Sequence, residues 1–187
     1  MTDDDALVAA LSLIRDRGAI GEASLTRAIE HADQYARAVP GRTARLADLG
    51  SGGGLPGLVI AARRPEIDIV LVERRATRAD LLRRAVASLG MTDRVEVLAD
   101  DVKVLARRSP GAFDVVTARS FAAPSITAHW ASRLLKTEGL LLVSEPPAED
   151  AGEGAERWPA ELLTTESLED LGRHDGLRIL RKASSAA

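Results

Sequence analysis

An acid, three glycines at every second position and a Leu-Pro-Gly step fall within ten residues, Asp48-Leu49-Gly50-Ser51-Gly52-Gly53-Gly54-Leu55-Pro56-Gly57. The apolar residues just before it read as a short strand, and Pro56 is pre-set for the opening of a helix. A strand that ends in glycines and turns into a helix is a seat for a nucleotide-like ligand. Without Cβ atoms, Gly50, Gly52 and Gly54 let the backbone turn tightly and come close to whatever is bound. The free N–H groups of the helix start face the same place.

The ligand class turns on the acid. Read from Gly52, the run matches Gly-x-Gly-x-x-Gly, a weak dinucleotide fingerprint in which pyrophosphate rests on the helix N-terminus. Asp48 stands two residues before the first glycine, and a carboxylate directed into that crevice repels pyrophosphate. It suits a cationic, amine-bearing ligand, and S-adenosylmethionine carries a sulfonium and an α-ammonium with no phosphate. Twenty-three residues after Gly50, the strand Ile69-Val70-Leu71-Val72 ends in Glu73, placed to accept from a ribose diol. Asp101 follows a third strand, where it can accept from an adenine amine, cap the helix that begins at Val102, or do both. Arg119 ends a fourth strand at the same sheet edge. A guanidinium there calls for an anionic partner, either a ligand or a neighbouring Asp48 or Asp114.

The elements that must position these residues alternate. Thr2 and the aspartates after it predict a capped helix to Arg17, and a second helix runs over Leu25–Val39 before Pro40-Gly41. Strands are expected at Arg45–Leu49, Asp68–Glu73, Val95–Ala99, Phe113–Ala118 and Leu140–Ser144. Helices at Leu58–Arg64, Ala76–Leu89, Val102–Arg107 and Ser125–Leu135 separate or follow them. Apolar strands alternating with helices imply an α/β fold, a doubly wound and mostly parallel sheet covered on both faces. Ligands of such sheets bind beyond the carboxyl ends of the strands. Residues 1–40 then form an N-terminal helical extension, and 41–187 a Rossmann-like domain. Pro146–Glu156 reads as a surface loop. Beyond it, Leu162–Leu168 and Leu177–Lys182 predict an antiparallel edge hairpin, with a helix over Ala160–Leu171 as the competing reading.

The chain has 187 residues, no cysteine and a formal net charge of −3. Disulfides and thiolate metal sites are excluded, and the dispersed His31, His129 and His174 show no metal-ligand spacing. No apolar stretch is long enough to cross a bilayer and the acidic start does not resemble a signal peptide, so a cytoplasmic protein is expected. Charge is segregated. Residues 41–144 carry sixteen basic and eleven acidic side chains, while residues 145–187 carry five and ten. The arginines at 63, 64, 74, 75, 78, 83 and 84 form a cluster that either docks phosphates or is a solvated helix face.

The segment from Leu46 to Phe121 resembles the bacterial small-subunit ribosomal RNA guanine-N7 methyltransferases, long known as glucose-inhibited division protein B. The resemblance is carried by Asp48 to Gly57, by Arg78 and Leu82 after Glu73, and by Ala118-Arg119-Ser120-Phe121-Ala122, where Arg119 and Ala122 keep the family's Ser-Arg-Ala-x-Ala pattern. It implies a class I S-adenosylmethionine-dependent methyltransferase acting on 16S ribosomal RNA, with the RNA or the small ribosomal subunit as partner. The residues it places at the cofactor are Asp48, Gly50, Ser51, Gly52, Gly54, Leu55, Glu73, Asp101, Val102 and Arg119. Arg119 also faces the substrate as the candidate catalytic residue. Guanine N7 has a free lone pair, so no general base is required and alignment is the enzyme's main task.

Departures from the family fall on the substrate side. Ser144-Glu145 stands where a Lys-Gly pair is usual, Glu30 precedes His31 in place of arginine, and Lys103 replaces an acid. Aromatics are few, leaving Trp130 and Trp158 as candidate platforms for a flipped base, with Trp130 equally read as core packing. Two alternatives therefore stay open: a methyltransferase of this fold acting on a small molecule or another RNA, and a non-catalytic cofactor-binding partner protein.

Overall fold

The structure, a computed structural model, describes residues 3–21, 24–145 and 157–184. Thr2 and the loop expected at Pro146–Glu156 lie outside them. Helices α1 (Asp3–Asp16) and α2 (Leu25–Ala38) precede β1 (Arg45–Leu49), α3 (Gly57–Arg63), β2 (Asp68–Val72), α4 (Ala76–Ser88) and β3 (Val95–Leu98). Then come α5 (Val102–Arg108), β4 (Phe113–Ala118), α6 (Pro124–Leu134), β5 (Leu135–Ser144), α7 (Ala160–Thr165), β6 (Leu168–His174) and β7 (Leu177–Lys182). The seven strands lie in the order β3-β2-β1-β4-β5-β7-β6, parallel from β3 to β5 and antiparallel through β7 and β6.

Strand alternation sends successive side chains to opposite faces. Leu46, Ile69 and Val115 pack with α1, α2, α3 and α4, while Ala47, Leu49, Val70 and Val116 pack with α5 and α6. The two N-terminal helices share one hydrophobic cluster with the sheet, through Leu7, Leu11, Ile14, Ala32 and Tyr35. The turn after α1 also rests on the glycine loop: a Cβ at Gly53 would stand 2.3 Å from Ile20 Cγ1 and 2.7 Å from the Ala19 carbonyl oxygen.

Two arginines of the sequence cluster hold this layer together. Arg63 bonds Asp33 of α2 at 2.9 Å and also Asp4 of α1. Arg64 donates to the carbonyls of Ala36, Val39 and Pro40, closing the C-terminus of α2.

Two expectations change. β5 begins at Leu135 rather than Leu140, with a register shift opposite Phe113–Val115 that admits the extra residues. The C-terminal segment combines both readings offered for it: α7 takes up Ala160–Thr165, Ser167 turns the chain at φ 53°, and β6 starts only at Leu168. Its apolar residues satisfy a short helix first, which shifts the strand several residues on from Leu162–Leu168.

Gly57 opens α3 against β1 and β2. A Cβ there would meet Leu71 Cδ2 at 2.3 Å and Asp48 Oδ2 at 2.6 Å, neither of which can retreat from the packed sheet. Gly57→Ala is expected to cost about 1–3 kcal/mol by overpacking. Thermal melting then falls by about 2–4 °C per kcal/mol for a domain of this size. Gly41→Ala, where nothing lies within 4 Å of the new Cβ, is the matched control and leaves the melting temperature within a degree or two.

Candidate functional site

The carboxyl ends of β1, β2, β3 and β4 surround an open cavity of about 430 Å³. Adjacent strands β1 and β4 leave for opposite directions in the sheet order, the switch point at which such folds open a crevice. Gly50, Glu73, Asp101 and Val102 line the cavity, joined by Arg74, Arg75 and Arg78 on one side and by Phe121, Ile126 and Trp130 on the other. Asp48, Ser51, Gly52, Gly54, Leu55 and Arg119 do not line it.

Glu73 is almost fully buried, and both its oxygens are engaged: Oε2 accepts from the Gly52 N–H at 3.0 Å and Oε1 from the Arg75 N–H at 2.8 Å. The carboxylate thus clamps the glycine loop to the end of β2 and also lines the cavity. Asp101 caps α5, accepting from the Lys103 N–H at 3.0 Å, and borders the cavity at the same time. The cap read from the sequence is thus present, and it stands at the cavity wall.

Asp48 is the main correction. It was expected to point into the crevice, but its side chain is wholly buried on the α3 face of the sheet. Oδ1 accepts from Thr117 Oγ1 at 2.8 Å, and Oδ2 has no hydrogen-bond partner. The alternation of β1 explains this, since Asp48 shares a face with Leu46. Burial is the dominant influence and pushes its pKa up to about 6, against the opposing pull of Thr117, Ser51, the Gly57 N–H and the Arg119 charge. Ser51, also buried, donates to the Asp48 carbonyl at 3.0 Å and tightens the turn.

Arg119 extends the same face of β4 as Val115 and Thr117. Neither Asp48 nor Asp114 forms an ion pair with it: Asp114 is taken by Lys136 and by the N–H groups of Ala44 and Arg45, and Arg119 Nη1 is buried without a hydrogen-bond partner. An acceptor oxygen on Asp48 and a donor nitrogen on Arg119 are thus both left unsatisfied behind the glycine loop.

The surroundings of this pair were not foreseen. His31 and Tyr35 of α2 stack edge to face at 5.8 Å, and Tyr35 donates to the Ala118 carbonyl at 3.1 Å. Burial pushes the Tyr35 hydroxyl up to about 12. Burial, aided by the Arg119 charge, lowers the His31 pKa and keeps the imidazole neutral. Ser120 turns the chain at φ 51°, and Phe121 then covers Gly50, its Cδ2 lying 2.8 Å from where a Cβ would sit. A small residue at position 50 was the available signal; the identity of its cover was not.

The two tryptophans divide. Trp130 lines the cavity, while Trp158 is buried and donates to Glu145 at 2.7 Å. Glu145 also takes Arg178, so the acid found in place of the family's Lys-Gly pair anchors the C-terminal hairpin. No helix among the described residues is long and apolar enough to cross a membrane.

Comparison with known proteins places this geometry. A family model described as rRNA small subunit methyltransferase G matches residues 10–171. The chain is 38% identical over 124 residues to ribosomal RNA small subunit methyltransferase G of Acidovorax sp. (strain JS42), covering 63% of this chain and 49% of that one. To the protein of the same name from Acidothermus cellulolyticus it is 34% identical over 168 residues, covering 88% and 70%. The chain thus spans about half the length of the first relative and more of the second. Among solved structures, cofactor-bound Rv0187 from MTB superposes with a TM-score of 0.68 at 19% identity, over 97% of this chain and 91% of that one, a likeness of fold. With the β1–α3 glycine loop and the Arg119 turn both inside the matched span, the chain belongs to the rRNA small subunit methyltransferase G (GidB) family.

Proposed function

We propose that this protein transfers a methyl group from S-adenosylmethionine to guanine N7 of small-subunit ribosomal RNA. The observation that carries the cofactor assignment is the pair of unsatisfied buried atoms behind the glycine loop. A carboxylate oxygen with no donor and a guanidinium nitrogen with no acceptor together complement an α-amino acid, which brings an ammonium and a carboxylate. A dinucleotide brings neither group in that combination. Glu73, Asp101 and Val102, around a cavity of about 430 Å³, are of the types that hold an adenosine. Bound there, S-adenosylmethionine supplies an electrophilic methyl group on a sulfonium.

The protein's share of the reaction is placement. With the cofactor held there, the N7 lone pair would take the methyl group directly, the S–C bonding pair staying on sulfur. No proton moves, so the neutral His31 is not needed as a base. Arg119 holds the amino-acid end, Glu73 fixes the loop and the ribose, and Phe121 and Trp130 give the cavity an apolar wall. Fixing donor and acceptor in line in this way contributes much of the rate.

Calorimetric titration with S-adenosylmethionine, with NAD as control, is expected to show saturable binding of the first alone. Transfer of labelled methyl to small ribosomal subunits lacking the modification tests the acceptor. Binding without transfer to subunits or to their RNA would remove the ribosomal assignment. Arg119→Ala is expected to weaken cofactor binding at least tenfold, the loss of one buried charge-assisted hydrogen bond.

Asp48 yields a pH signature. Its pKa of about 6 in the fold lies above its ordinary value of 3.8. Its contribution to stability is thus fully present below pH 4 and lost as pH rises through 6. Asp48→Asn is expected to melt higher than the wild type at pH 8, by on the order of 3 kcal/mol in stability, and to lose that advantage at pH 4. The same variant loses S-adenosylmethionine affinity. Wild-type binding strengthens as pH rises through 6, because the ammonium favours the ionised carboxylate. A flat pH profile would detach Asp48 from the cofactor.

A further inference from the structure

The seven arginines of the sequence cluster separate into two populations in space, and Arg17, which was not among them, joins the second. Arg63, Arg64 and Arg83 are taken by acids or helix-end carbonyls within the chain. Arg17, Arg74, Arg75, Arg78 and Arg84 have no ion pair or side-chain hydrogen bond with any described residue. These five are contiguous. Arg74, Arg75 and Arg78 form one rim of the site cavity, and Arg78 is shared with a second cavity of about 400 Å³ between α1 and α4, which Arg17 and Arg84 also line. That groove continues over an apolar floor of Leu13, Ile14 and Leu81. Its acid, Asp80, is neutralised by Arg83 at 2.8 Å.

We propose that the α1–α4 groove is the track for the RNA backbone flanking the methylated nucleotide, an inference that rests on the ribosomal RNA reading above. A polymer that delivers one base to the cavity must run its neighbouring phosphates over the cavity's rim, and the unpaired arginines lie along one such path. Arg78 and Arg84 are six residues apart on α4, about 9 Å along its axis, which spreads the charge along the groove. The chain as a whole is acidic, so this concentration of uncompensated positive charge is local. The assignment also explains why the groove has an apolar floor, on which sugar and base faces can rest.

The test uses the full chain with Arg17→Ala and Arg84→Ala combined, two residues outside the cofactor cavity. Arg107→Ala, at an exposed arginine on α5 with no ion pair or hydrogen bond to a described residue, serves as the control for net charge. Methyl transfer to undermethylated small subunits is measured across a salt series, and binding to protein-free 16S RNA is measured by fluorescence anisotropy. The double variant is expected to raise KM for subunits about tenfold and to flatten the salt slope by about one for each arginine removed. S-adenosylmethionine affinity and kcat stay unchanged, and Arg107→Ala behaves as wild type. An unchanged KM and salt slope, with an active wild type, would overturn the track. A loss that is no more, for each charge removed, than that of Arg107→Ala would reduce it to net charge. A loss seen on intact subunits but absent on protein-free RNA would assign the groove to a protein partner instead. Failure of the wild type to methylate or bind RNA at all would sink the ribosomal reading itself, and the track with it.

Discussion

A carboxylate sealed inside a hydrophobic sheet is costly, and around Asp48 the chain arranges several elements to hold one in place. Thr117 of β4 donates to it, Gly57 lets α3 start directly above it, and Ser51 binds its carbonyl so that the loop turns at once. The compensation is incomplete, because Oδ2 keeps no hydrogen bond. Close packing of β1, β4 and α3 around a single acid fixes the path of the glycine loop. That path in turn sets Gly52 against Glu73 and Gly50 beneath Phe121. Buried polar groups left unsatisfied in an otherwise well-packed core are where a protein has spent stability on something other than folding.

The order of elements was legible from residues 3 to 134 because the signals agree with one another. Apolar strands, the Pro56 helix start and the Pro40-Gly41 stop all point the same way, and the boundaries differ by one or two residues. Agreement fails where the pattern is short. At Leu135–Gly139 the strand starts early because β4 offers a partner through an irregular register, and no local residue announces that. In Ala160–Leu168, helix and strand preferences compete within nine residues, and packing of Trp158 and Leu168 into the core settles the contest.

The site was legible in residue identity more than in direction. Glu73, Asp101 and Gly50 lie at the cavity, as their strand-end positions suggested. Asp48 faces the other way, and the information was available in the alternation that puts it on the side of Leu46. Contacts between distant segments were not available. Nothing in one sequence links Ile20 to Gly53, Tyr35 to Ala118, or Arg63 to both Asp4 and Asp33. The same long-range pairing separates Arg63 and Arg64, which hold helices together, from the arginines without a partner among the described residues.

The position of β7 has a bearing on how the molecule is made. It is the last strand among the described residues, yet it lies inside the sheet, between β5 and β6. Until Leu177–Lys182 emerge from the ribosome, the outer edge of β5 presents Leu140, Leu141, Leu142 and Val143 with open backbone donors and acceptors, the kind of edge that recruits unwanted strands. At about 5–20 residues per second that exposure lasts a few seconds. The nascent chain therefore completes this sheet only once β6 and β7 have both been made, and the parallel half must be stable enough to wait.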